Sequence, residues 1–285
     1  PKTSLGELAK LSLSVIFINH TLPTGGVSGN GLVFHFLVKK GMGAARALSI
    51  ILMELVTSYT TSILVIIVTL LIYAMSVGGN IPVVFYWIGG GGVLYYLTLM
   101  TIASILGSKR QVAFLFGKLR GFTLIERLLK TWEMTPEEMH DSIDNLEYPW
   151  HVLRQHPRTY LSAILSYTGV FLFDALTVCA LYYGIGLSLP IPTIIAGYVL
   201  TAVIGVIPIS PGSLLIYEGG MTFIFVTLGV PLSAAILVTL LYRGLSFWAP
   251  IPVWLFASHI LALNFWLFAL LPHYKGIIFS GQTHR

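Results

Sequence analysis

Four ionisable side chains stand inside stretches otherwise built for hydrocarbon: Glu54, Asp174, Glu218 and Arg243. On insertion scales each such group costs about 2.5 to 3.5 kcal/mol at the bilayer centre, so each has to face a helix-bundle interior and find a partner there. Three acids and one base admit two readings. In one, Arg243 makes a structural ion pair and the other acids are neutral or hydrogen-bonded. In the other, the four form the polar floor of a substrate cavity centred on Arg243, whose guanidinium stays protonated and grips a phosphate through two parallel hydrogen bonds. Glu218, seven residues after Pro211, either holds Arg243 in place or attracts a cationic headgroup. Glu54 and Asp174 also suit proton sites in an ion-coupled transporter of a small solute.

The setting of these groups follows from composition. Of 285 residues, 56% are hydrophobic and 9% charged, with mean hydropathy +0.85, where a soluble domain carries about a quarter charged residues. The chain is therefore read as a multi-pass protein of a cell membrane, prokaryotic in type. Fifteen of the 27 charged side chains fall between Lys109 and Arg158, so the net charge of +5 reads as topology and headgroup contact, and nucleic-acid binding is rejected. Cys179 is the single cysteine, which excludes an internal disulfide and a cysteine-based zinc site. The chain starts at Pro1 with nothing resembling a signal peptide, so a preceding membrane helix is a possibility to keep open.

A helix crosses hydrocarbon in about 20 apolar residues. That length predicts spans over 47–76, 82–106 and 159–184. A fourth is expected over 233–257, interrupted only by Arg243 and by Pro250 and Pro252, with a short apolar piece at 259–272. Two regions read as broken or re-entrant hairpins. The first, 5–38, breaks at Thr21 to Gly31, and the second, 191–228, breaks at Ile207 to Ser213. Lipid cannot satisfy unwound backbone, so such breaks survive only against protein or a wet cavity, and paired breaks point to a transport site. The helix starts after them, at Gly25 to Gly31 and Gly212 to Leu214, either bind an anion or merely allow tight turns.

The fold class is thus an all-α polytopic membrane bundle with two broken helical hairpins in inverted-topology repeats. One transmembrane domain is expected over 1–285. Its first repeat spans about 1–106, a cytoplasmic or interfacial helical linker about 107–158, and the second repeat about 159–272. The repeat shows in spacing, because 13 residues separate Gly41 from Glu54 and 14 separate Gly229 from Arg243. Lys39, Lys40, Arg46 and eight basic residues between Lys109 and Arg158 mark the cytoplasmic side. In the linker, Thr135, Pro136 and Glu138 suggest a capped surface helix. Candidate substrate contacts are Arg243, Glu218, Pro211, Gly212, Ser213, Glu54, Asp174, Asn19 and Asn30. His20 and His35 flank the first break, as structural residues or as ligands or proton shuttles.

Pro211, Gly212, Glu218, Gly229, Arg243, Trp248 and Pro250 fall on a longer pattern. Over these residues the chain resembles the transmembrane family that includes the flippase region of lysylphosphatidylglycerol synthase, the MprF-like proteins. Asn19, Pro23 and Gly25 fit that family's first element, while Gly26 and Val27 stand where it carries a charged pair. The resemblance implies a bundle with re-entrant elements that moves phospholipids, aminoacylated ones included, between leaflets. It also implies a separate lipid synthase as partner. Membrane lipids are the expected ligands and no cofactor is expected. No GxxxxGK loop, HExxH, aspartate-rich metal motif or GxSxG serine is present, which argues against ATP coupling and against the less favoured reading of a lipid-modifying enzyme.

Overall fold

The computed structural model describes residues 3–22, 24, 26–108, 153–206 and 213–259, and these are all helix and connecting turns. In order they form α1 (Leu5–Thr21), α2 (Val27–Lys39), α3 (Ala44–Ser76), α4 (Val83–Leu106), α5 (Pro157–Gly184), α6 (Ile191–Gly205), α7 (Ile216–Thr227) and α8 (Leu232–Arg243). A π turn (Gly244–Trp248) and α9 (Pro250–His259) follow. Arg46–Ser76, Val83–Leu106, Pro157–Gly184 and Leu232–Trp254 are long and apolar enough to cross a membrane. Large apolar side chains such as Leu71, Met75, Trp87 and Phe173 are exposed on them, as expected of surfaces that meet lipid.

The ends of the helices follow from local chemistry. Ser4 and Glu7 cap α1 reciprocally: the Glu7 N–H donates to Ser4 Oγ at 3.2 Å and the Ser4 N–H to Glu7 Oε2 at 3.0 Å. Proline opens α5, and Pro82, Pro190 and Pro231 precede α4, α6 and α8. Gly41 and Gly229, which the spacing marked as counterparts, both take φ +85°, a left-handed turn that no branched side chain accepts cheaply. Each ends a hairpin and releases the chain into a long helix.

Three spans appear as the sequence predicts, with ends shifted by a few residues. The fourth differs, because Leu232–Trp254 runs on through Pro250 and Pro252 without interruption. Pro250 has no N–H and its ring crowds the carbonyl four residues back. The helix widens just before it, with the Ala249 N–H donating to the Gly244 carbonyl at 2.9 Å, and so absorbs the proline in a π turn. The apolar piece after His259 and the linker helix at Thr135 lie outside the described residues.

α3 packs against α4, α5 and α6, and the main core lies among α3 and α5–α8, where Tyr182, Ile194, Phe225 and Val238 are fully buried. Close approach depends on missing side chains. A Cβ at Gly89 would come 2.5 Å from Leu70 Cδ1, and one at Gly92 would come 2.6 Å from Val203 Cγ1. α1 lies against α2, and α6 against α7, as two helical hairpins.

Candidate functional site

Arg243 is the last residue of α8 and Glu218 lies in the first turn of α7. The packing of α7 on α8 brings them together, and Arg243 Nε donates to Glu218 Oε1 at 2.6 Å. Their side chains are 9% and 21% exposed, so the pair is largely removed from solvent. The guanidinium also lies between two rings, its carbon 4.8 Å from the centre of Tyr217 and 4.5 Å from that of Phe247. Glu218 sits at a helix start, where the backbone dipole favours its charge. The other carboxylate oxygen, Glu218 Oε2, is buried without a hydrogen-bond partner among the described residues.

The strained backbone of the second hairpin lies directly before this pair. Ser213 and Leu215 have φ of +53° and +71°, values that cost a side-chain-bearing residue of order 1–3 kcal/mol. Ser213 Oγ donates to the Gly205 carbonyl at 2.6 Å, which ties the end of the break back to the end of α6. A Cβ on Gly205 would come 2.5 Å from Tyr217 Cδ2, so the bare glycine makes room for the ring beneath the guanidinium. Pro211 and Gly212, the other candidates of this element, lie outside the described residues.

Asp174 joins the site indirectly. Its Oδ2 accepts from the Tyr198 hydroxyl at 2.8 Å, the Tyr198 and Tyr242 ring centres are 5.8 Å apart, and those of Tyr242 and Tyr217 are 6.2 Å apart. A train of tyrosines on α6, α8 and α7 therefore leads from the carboxyl on α5 to the guanidinium. Sequence reasoning missed these tyrosines. The available signal was a phenol within each apolar segment, two of them next in sequence to Glu218 and Arg243, and a buried phenol needs a partner.

Glu54 belongs elsewhere. It accepts a short hydrogen bond from the Tyr167 hydroxyl, joining α3 to α5. Asn19 and Asn30 are also apart from the pair. Asn19 Oδ1 accepts from the Gly29 N–H at 3.1 Å and pins α1 to α2, while Asn30 is half-buried in the first turn of α2. The first hairpin reaches the pair through His20, which stacks on Phe247 with ring centres 4.6 Å apart. Phe17 stacks on Trp254 at 3.8 Å, and Trp254 Nε1 donates to Ser14 Oγ at 3.3 Å, so α1 is seated along α9.

A groove of about 510 Å³ opens between α7 and α8. Phe223, Val226, Leu232, Ile236 and Leu240 line it, and Glu218 stands among its few polar members, with Thr222 and Thr239. It is more apolar than the wet pocket the two breaks suggested, because aliphatic and aromatic side chains of α7 and α8 make up most of its walls. Among the described residues no three His, Cys, Asp or Glu side chains gather as a metal site requires.

The chain matches no curated protein and no solved structure. The family described as the lysylphosphatidylglycerol synthase TM region matches residues 2–253. Its span takes in both hairpins, Asp174, Glu218 and Arg243, in agreement with the resemblance carried by the second break and the span after it. With that match over most of its 285 residues and four helices able to cross a bilayer, this multi-pass membrane protein belongs to the lysylphosphatidylglycerol synthase transmembrane family.

Proposed function

We propose that this protein moves a phospholipid, plain or aminoacylated, between the two leaflets, with Arg243 receiving the headgroup phosphate and no covalent chemistry of its own. One observation carries the reading: a buried guanidinium, flanked by two rings, is paired with Glu218, and Glu218 itself lines a groove whose walls are apolar. An amphiphile presents the same two parts, an anionic head and apolar chains. Glu218 competes with phosphate for the guanidinium, so a headgroup exchanges one charged partner for another and does not strip Arg243 bare.

The two broken hairpins supply the path, entering the bilayer from opposite faces as inverted repeats, with gating of one against the other giving access to each side. Membership of a family of lipid metabolism supports this reading, as does the strain at Ser213 and Leu215 beside the ion pair. A separate synthase supplies the lipid when it is aminoacylated.

The test exploits the ion pair. Truncating one partner of a buried pair costs about 3–5 kcal/mol and risks the fold, whereas the exchange Arg243→Glu with Glu218→Arg keeps both charges. Flipping of fluorescent phosphatidylglycerol is followed in proteoliposomes by quenching from outside. The wild type should exceed protein-free vesicles, and the exchanged protein should remain monodisperse in detergent yet lose at least about 90% of the activity. Wild-type rates in the exchanged protein, or none above background in the wild type, would refute the assignment.

A further inference from the structure

We propose that Asp174 is a proton-binding site whose occupancy sets the affinity of Arg243 for an anion, so that headgroup binding and proton uptake are linked. The inference rests on the anion site proposed above and adds to it the ion that binds with the lipid.

Asp174 is half-buried on α5, between apolar spans, and among the described residues it forms no ion pair. Its described partner is the Tyr198 hydroxyl, which can donate to a carboxylate or accept from a carboxylic acid. Either protonation state therefore keeps a hydrogen bond, and the two states differ by a full charge.

That charge is placed to be felt at Arg243. Tyr198, Tyr242 and Tyr217 fill the space between, with ring separations of 5.8 and 6.2 Å, and Tyr217 touches the guanidinium at 4.8 Å. Rings close-packed in this way leave a low-dielectric gap, in which a charge acts further than it would through water. With Asp174 ionised, the surroundings of Arg243 hold two carboxylates, Glu218 and Asp174. An incoming phosphate is repelled by the second. Protonating Asp174 removes that repulsion, and by reciprocity a bound phosphate must draw a proton onto Asp174.

Other titratable and charged groups stand in this region among the described residues. α6 offers Tyr198, α7 offers Tyr217 and Glu218, and α8 offers Tyr242 and Arg243. On the α3 side Glu54 is engaged with Tyr167. His20, from α1, stacks on Phe247 beside the guanidinium and is the main rival source of a pH response.

Short-chain phosphatidylglycerol is titrated into the purified protein in detergent at pH 5 and pH 8, and proton uptake is read with an indicator dye in weak buffer. The wild type should bind about fivefold or more tightly at pH 5 and take up protons on binding. Asp174→Asn should bind tightly at both values with uptake abolished, Asp174→Glu should restore the pH response, and His20→Gln should keep it. A pH-independent wild type, an unchanged pH response in Asp174→Asn, or its loss only in His20→Gln would overturn the proposal. Linked binding without flipping in vesicles would leave the proton site standing and remove the transport reading instead. Failure of phosphatidylglycerol to bind at all would remove both.

Discussion

The two hairpins share a plan, an apolar arm, a break, a second arm and a left-handed glycine, yet they are held in different ways. α1 has no fully buried residue and α2 has only Gly29. Polar ties join the arms, among them the Asn19 to Gly29 hydrogen bond and the Lys40–Glu7 ion pair at 2.6 Å. In the second hairpin most of α6 is buried, and a Cβ at Gly197 would meet the Phe225 ring at 2.7 Å. The shared plan leaves open which hairpin carries the charged pair, and packing decides it. Only the tightly packed copy can enforce left-handed Ser213 and Leu215 and hold Glu218 against Arg243.

The sharpest way to break this contrast is one substitution in each hairpin. Gly205→Ala should drive a Cβ into Tyr217 and destabilise the protein by about 1–3 kcal/mol, with transport falling as the ring beneath Arg243 is displaced. Thermal unfolding in detergent and flipping rates measure the two effects. A neutral Gly205→Ala would mean that the second hairpin is loose. Asn19→Ala tests the first hairpin more gently. Losing one hydrogen bond should cost about 1 kcal/mol, seen as faster amide exchange in α2. The smallest effect is one of pH. Lys40, and then the Ser4 backbone N–H, hold the Glu7 carboxyl below its usual range. The tie is therefore intact above the unfolded carboxylate value of about 4.3 and is lost as pH falls through the lower folded value. Protection of α1 from exchange should drop over that acid window in the wild type, and Glu7→Gln should show no such drop.

Much of the architecture was legible because hydrocarbon imposes simple rules. Length and apolarity gave the spans, and α1 ends at Thr21 where the first break was expected to begin, although Val27 to Gly31, read as part of that break, lie in α2. The pairing of Glu218 with Arg243 was open in the sequence, because 25 residues and a turn at Gly229 separate them and only tertiary packing sets their faces. The tyrosine train was hidden for a related reason: a phenol in an apolar span looks like any aromatic until its neighbour across the bundle is known. Asp174 and Glu54 fit a common polar floor by type, yet each binds a tyrosine on a different helix, and only Asp174 leads toward the guanidinium. The fourth span was expected to be interrupted at Pro250 and Pro252, yet the helix runs through both, because inserting one residue upstream lets it absorb a proline.

That inserted residue gives the last span two independent azimuths. Each residue turns a helix by about 100°, so the widened turn at Gly244–Trp248 resets which way everything beyond it looks. Upstream, the rod serves the carboxyl-terminal hairpin; downstream, it presents Trp254 to Phe17 of the amino-terminal one. A single rod thereby becomes a crankshaft between both hairpins, with Phe247 at the throw, touching Arg243 on one side and His20 on the other.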